Sequence, residues 1–197
     1  MNEGSDRAGS ALLINSVRPI GSLGEPRDWE QVRTPKGTLY PSDYRAFIDR
    51  FGGGYLEGTF AVLEAGRMRA SSGVEQMRAE TFNAYSMWGD GRAENNSYSV
   101  WEGAPDSVDL WAWGVSGSAD IVCWDISTDD PESWATIVWD QTGWEWTRYD
   151  LGFSEFLLAS AFQGRPDLGI VPAGDSVRYL SYVENKRRVA ESIPAWQ

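Results

Sequence analysis

Residues 110–150 read LWAWGVSGSADIVCWDISTDDPESWATIVWDQTGWEWTRYD, and their alternation decides the fold. Side chains point to opposite faces of a strand with period two. Leu110 to Val115 therefore sets Trp111, Trp113 and Val115 on one face. Ala119 to Ile126 does the same with Val122, Trp124 and Ile126, and Trp134 to Asp140 with Ala135, Ile137 and Trp139. Trp144 to Tyr149 closes the series. The connections Ser116-Gly117-Ser118 and Gln141-Thr142-Gly143 are too short for anything but antiparallel neighbours. Between the middle strands lies an acidic loop, Ser127 to Glu132.

Helices flank this meander. Pro41 to Phe51 carries Tyr44, Phe47, Ile48 and Phe51 at i, i+3, i+4 and i+7, a single apolar stripe, with Asp43 in its first turn and Gly52-Gly53-Gly54 after it. Tyr55 to Leu63 alternates loosely as a strand. Gly66 to Gly73 reads as a turn and Val74 to Trp88 as a second helix. A possible edge strand follows at Tyr98-Ser99-Val100-Trp101. Phe153 to Gln163 is a helix, closed by Gly164 and Pro166. Pro26 to Val32 can form a short helix. The order predicts an α+β domain, a Trp-rich antiparallel sheet with helices on one face. Residues 1–25 read as a flexible, loosely docked N-terminal arm, 26–165 as the domain, and 166–197 as a partly helical extension. In that extension Asp175 would cap a helix from Ser176 to about Ala190, ended by Pro194.

Composition narrows the chemistry. The chain has no histidine, one cysteine and two lysines. His-based triads, His-ligated zinc and an internal disulfide are excluded, and a carboxylate pair is the main enzymatic route left. Cys123, within Ile121-Val122-Cys123-Trp124, reads as a buried small hydrophobe rather than a reactive thiol. No apolar run nears the roughly 20 residues of a membrane helix. The start lacks a signal-peptide core, which gives a cytoplasmic expectation. Gly52-Gly53-Gly54 follows a helix and precedes no Lys-Ser/Thr, so it is a turn and not a phosphate loop.

Charge is the functional signal. Residues 101–155 hold twelve acidic residues against one basic residue, Arg148, and so carry eleven of the twelve net negative charges. They also hold eight of the eleven tryptophans. That balance repels nucleic acid and suits a basic protein partner. Asp129, Asp130 and Glu132 are either a solvated loop or a patch for such a partner. Trp101 and Trp134, beside polar runs, are either exposed anchors or packed under loops. Asp125 to Glu132 lacks the spacing of a calcium loop, and a two-carboxylate glycosidase site is a remote reading. No cofactor or metal ligand set is expected.

Leu39-Tyr40-Pro41-Ser42-Asp43-Tyr44-Arg45-Ala46-Phe47, running into Phe51-Gly52-Gly53-Gly54, resembles the LP-x-DY-x-x-F…YG-x-G start of the SUKH superfamily. That group includes the Smi/Knr cell-wall regulators and many bacterial toxin-immunity proteins. Trp111-Ala112-Trp113-Gly114, Cys123-Trp124, Asp130-Pro131-Glu132-Ser133-Trp134, Trp144-Glu145-Trp146 and Phe153-Ser154-Glu155-Phe156-Leu157 follow in similar order. Tyr40 stands where the family usually has Leu. The resemblance covers about 26–165 and implies a non-enzymatic domain that binds and neutralises a cognate toxin, frequently a nuclease. A scaffolding adaptor of the same fold is the alternative, and a carbohydrate-binding module using exposed Trp platforms a third reading.

Overall fold

The structure, a computed structural model, describes residues 3–65, 73–90, 98–164, 168–170 and 174–197. Apart from Gly73, the turn expected over 66–73 lies outside them, as does Pro166. Among the described residues there are five helices: α1 (Glu3–Ser16), α2 (Ser42–Phe51), α3 (Gly73–Asp90), α4 (Phe153–Phe162) and α5 (Tyr182–Ala190). Nine strands of the described residues form one sheet: β1 (Val17–Pro19), β2 (Gly54–Leu56), β3 (Phe60–Val62), β4 (Ser99–Val100), β5 (Leu110–Ser116), β6 (Ile121–Asp125), β7 (Thr136–Asp140), β8 (Glu145–Tyr149) and β9 (Val177–Ser181). Their order across the sheet is β1-β9-β2-β3-β5-β6-β7-β8-β4. The fold class is α+β.

The meander pairs antiparallel from β5 through β8, with Trp111 opposite Trp124 and Trp139 opposite Trp146. The sheet as a whole is mixed, which corrects the wholly antiparallel expectation: β1 runs parallel to β9, and β4 parallel to β8. The helices also occupy both faces rather than one. Trp113 and Trp124 meet Phe153 of α4 and Tyr44 of α2 on one side, with ring centroids at 5.0 Å in each pair. Trp139 and Trp146 have the opposite parity, and α3 covers them through Trp88, 5.4 Å from Trp146. The reason lies in β5 to β7, whose residues are buried on both faces almost without a break and so require two covering layers. A bulge between Ala112 and Gly114 keeps Trp111 and Trp113 on the α2/α4 side and turns Val115 away.

The ends of the chain are the second correction. The segment expected as a loose arm forms α1 and β1, with Leu13 and Val17 buried in the core. The helix expected from Ser176 begins only at Tyr182. Before it, Val177, Tyr179 and Ser181 alternate inward as strand β9, which fills the gap between β1 and β2. Ser181 then caps α5 by accepting the Glu184 amide at 3.1 Å. The Tyr55–Leu63 segment is two strands, β2 and β3, turned at Glu57-Gly58. Residues 26–32 supply only a single 3-10 turn, Trp29–Gln31, whose Trp29 indole donates to Asp49 at 2.9 Å. Gly52 ends α2 at φ 71°, a conformation that glycine adopts freely. Cys123 is fully buried, and burial pushes its thiol pKa well up, in keeping with a packing role. No helix among the described residues is long and apolar enough to cross a membrane.

Two features give measurable outcomes. A Cβ on Gly114 would lie 2.3 Å from the Phe60 ring. Gly114→Ala should therefore cost about 1–3 kcal/mol by overpacking, read as a lower urea midpoint at unchanged m-value. Glu184 is buried and bonded to Arg187 at 2.7 Å and Arg188 at 2.9 Å. Chiefly the Arg187 hydrogen bonds lower its pKa from 4.5 to about 2. A depressed carboxylate stabilises the fold above its unfolded pKa, and that contribution is lost as pH falls toward the folded value. The wild-type protein should thus lose stability between about pH 4.5 and 2 through this group. Glu184→Gln should be less stable at neutral pH and converge on the wild type near the acid end of a denaturation series.

Candidate acidic docking face

Strand direction sorts the carboxylates of 101–155. β5 starts, β6 ends, β7 starts and β8 ends at the same end of the sheet, and β4 runs parallel to β8. The segments that meet there are 101–109, 125–135 and 150–155. They bring together Glu102, Asp106 and Asp109, then Asp125, Asp129, Asp130 and Glu132, then Asp150 and Glu155. That is nine of the twelve carboxylates in the stretch. Asp120, Asp140 and Glu145 sit at the other end. The one cation of the stretch, Arg148, bonds Asp125 and reaches Asp150 at 3.1 Å. Among the described residues, no three acidic or cysteine side chains are placed to hold a metal ion.

Several of these carboxylates hold the fold together. α2 begins after Pro41, which can offer no side-chain cap. Glu132 takes that role from 90 residues away, accepting the Ser42 amide at 2.9 Å and the Ser42 hydroxyl at 2.9 Å. In return Asp43, in the first turn of α2, accepts the Ser154 amide of α4 at 2.7 Å. Each carboxylate meets the positive end of a helix dipole. Burial raises the Asp43 pKa above the usual range, against the opposing hydrogen bonds from Ser154 and Tyr44, and nearby Glu132 adds to the rise. Asp130 accepts the Glu132 amide at 3.1 Å and starts the 3-10 turn Pro131–Ser133. A cleft of about 190 Å³ lies between these segments, with Asp43, Glu132, Arg148 and Glu155 around it and Trp124, Trp134 and Phe153 in its walls.

The five residues singled out from the sequence fare differently. Asp129, Asp130 and Glu132 are exposed and adjacent. Asp129 makes no hydrogen bond or ion pair with the described residues, whereas Asp130 and Glu132 are engaged as caps. Trp134 is not an exposed anchor: it is 2% exposed, and its indole donates to the Thr128 carbonyl at 3.0 Å. The acidic loop folds back over the ring, and Trp134 in turn stands 6.0 Å from Trp124. Trp101 is half-buried, 5.4 Å from Trp88. The sequence reading missed the role of Asp43, because a cap between two helices 111 residues apart leaves no local pattern. It also missed Trp144, the most exposed of the tryptophans at 46%.

Replacing Glu132 by Ala should cost about 1 kcal/mol, the usual loss when a helix cap is removed, and lower the thermal midpoint by a few degrees. Glu132→Gln, which keeps an acceptor, should recover part of that loss. No protein-family model matches this sequence, and no curated protein or solved structure is significantly similar to it.

Proposed function

We propose that this chain is a non-enzymatic binding domain of immunity type, which neutralises a cognate toxin by covering a basic surface. The observation that carries this reading is the gathering of nine carboxylates at one end of the sheet, against two cations paired among them, Arg148 with Asp125 and Asp150 and Lys36 with Asp109 at 3.1 Å. Solubility alone asks for charge spread over the surface, not gathered at the ends of four strands. A nuclease toxin must hold positive charge to grip phosphates, and an anionic face competes for that charge. Its field also accelerates encounter with a cationic partner, by one to three orders of magnitude at low salt. The resemblance of the Asp43-Tyr44 region to SUKH immunity proteins supports the same reading. The adaptor alternative shares the fold and differs only in the partner.

Glu102, Asp129 and Glu155 make no hydrogen bond or ion pair with the described residues, so their reversal tests the face without removing a cap. The triple variant Glu102→Lys/Asp129→Lys/Glu155→Lys should keep its fold by circular dichroism. It should associate at least tenfold more slowly with the product of the adjacent reading frame, measured by surface plasmon resonance at low salt. Equal rates for variant and wild type, with no dependence on ionic strength, would remove the face from consideration.

A further inference from the structure

The strained residue at the tip of the β7–β8 hairpin is Trp144. Its backbone takes the left-handed conformation, φ 56°, at the last position of a four-residue loop. Glycine or asparagine normally fills such a place, and a bulky side chain there is uncommon and costly. Gly143 is next in line and does not take it. The residue is also largely open to solvent, 46% exposed.

The tip is nevertheless held still. Asp140 accepts the amides of Thr142 at 2.7 Å and Gly143 at 2.9 Å, and the Trp144 carbonyl accepts from Ser99 at 3.1 Å. Behind the indole stands Tyr98, 4.8 Å away, and behind that Trp139, 5.0 Å from Tyr98. The exposed ring is therefore the outer member of a chain of tilted and edge-on ring contacts whose inner member, Trp139, is buried in the core. Two carboxylates flank it, Asp140 and the exposed Glu145, and the hairpin tip 140–145 carries no cation.

A rigid, strained, half-exposed indole between carboxylates is built to receive a cation. We propose that Trp144 is the aromatic anchor of this protein's docking surface, and that it takes an arginine side chain of a basic partner protein. The guanidinium plane stacks on the indole while Glu145 accepts from its donors, a geometry that lysine's point charge matches less well. This rests on the reading of a basic partner but places an anchor away from the carboxylate-rich end. A partner that engages both must reach along the length of β7 and β8. A five-residue strand spans roughly 17 Å. A standard interface covers about 800 Å² per partner, or roughly 28 Å across.

Trp144→Gly relieves the left-handed strain and should fold at least as well as the wild type. The probe is fluorescein-labelled hexa-arginine, followed by anisotropy, with the Trp144 indole N–H resonance assigned as the peak that Trp144→Gly lacks. Hexa-arginine should shift that peak, and Trp144→Gly should bind it at least tenfold more weakly. Hexa-lysine should bind the wild type less tightly. If variant and wild type bind hexa-arginine equally while the Lys triple variant above does not, the anchor is wrong and the anionic face stands. If the peak moves with maltohexaose or cellohexaose but not with the peptide, the ring is a sugar platform and the inference falls. If the wild type binds no hexa-arginine at all, both readings fall together.

Discussion

The hydroxyl of Tyr44 is the contact on which the architecture rests. It donates to the Leu63 carbonyl at 2.7 Å and accepts the Ala65 amide at 2.9 Å, which fixes the chain just after β3 to the first turn of α2. Its ring meets Trp124 of β6 at 5.0 Å and Phe153 of α4 at 5.2 Å, both edge to face. One fully buried side chain thus satisfies two main-chain groups, and it also registers a helix against a sheet. Burial holds its phenol well above the ordinary pKa, so the proton that makes the donor bond stays in place. The neighbouring Asp43 ties the same helix to the start of α4. The Asp-Tyr pair is thereby explained by contacts rather than by likeness: one residue joins helix to helix, the other helix to sheet.

Much of the architecture could be read because local and global preferences agree. The meander announces itself by alternation and by Gly-centred turns, and α2 by its apolar stripe. Where two periods fit the same residues, the reading failed. Val177, Leu180 and Val183 suit a helix, yet Val177, Tyr179 and Ser181 suit a strand, and only the sheet's need for a member between β1 and β2 decides. A sharper clue was present in Ser181-Tyr182-Val183-Glu184, a serine followed three residues later by glutamate, which marks where the helix begins. The second helical layer was also legible in principle. Leu110 to Gly114, Ile121 to Trp124 and Thr136 to Trp139 hold few polar residues, and strands apolar on both faces need cover on both. β1 left no such mark, since three residues paired with a strand some 160 positions away carry no pattern of their own.

The acidic face shows how charge can be gathered without unfolding the gatherer. Like charges brought together repel, and two devices offset that here. Helix amino ends of α2 and α4 point into the cluster and accept Glu132 and Asp43 as caps. Cations pair with others: Arg148 bridges Asp125 and Asp150, and Lys36 meets Asp109 at 3.1 Å. The carboxylates that remain, Asp129 and Glu155 among them, need no internal partner because solvent screens them. Concentration of charge in sequence was visible at once. The roles of Asp125, Asp43 and Glu132 were not, because each depends on a partner 23 to 111 residues distant.

The position of β9 between β1 and β2 carries a consequence for how the chain is made. β2 leaves the ribosome about 120 residues before its neighbour on that side, an interval of roughly 6–24 s at common elongation rates. Throughout it, the nascent molecule offers one open hydrogen-bonding edge on β2 and a tethered, partnerless leading segment. The sheet closes only when late-synthesised residues slide into the slot between them, so this molecule finishes its construction at a seam left open from the beginning.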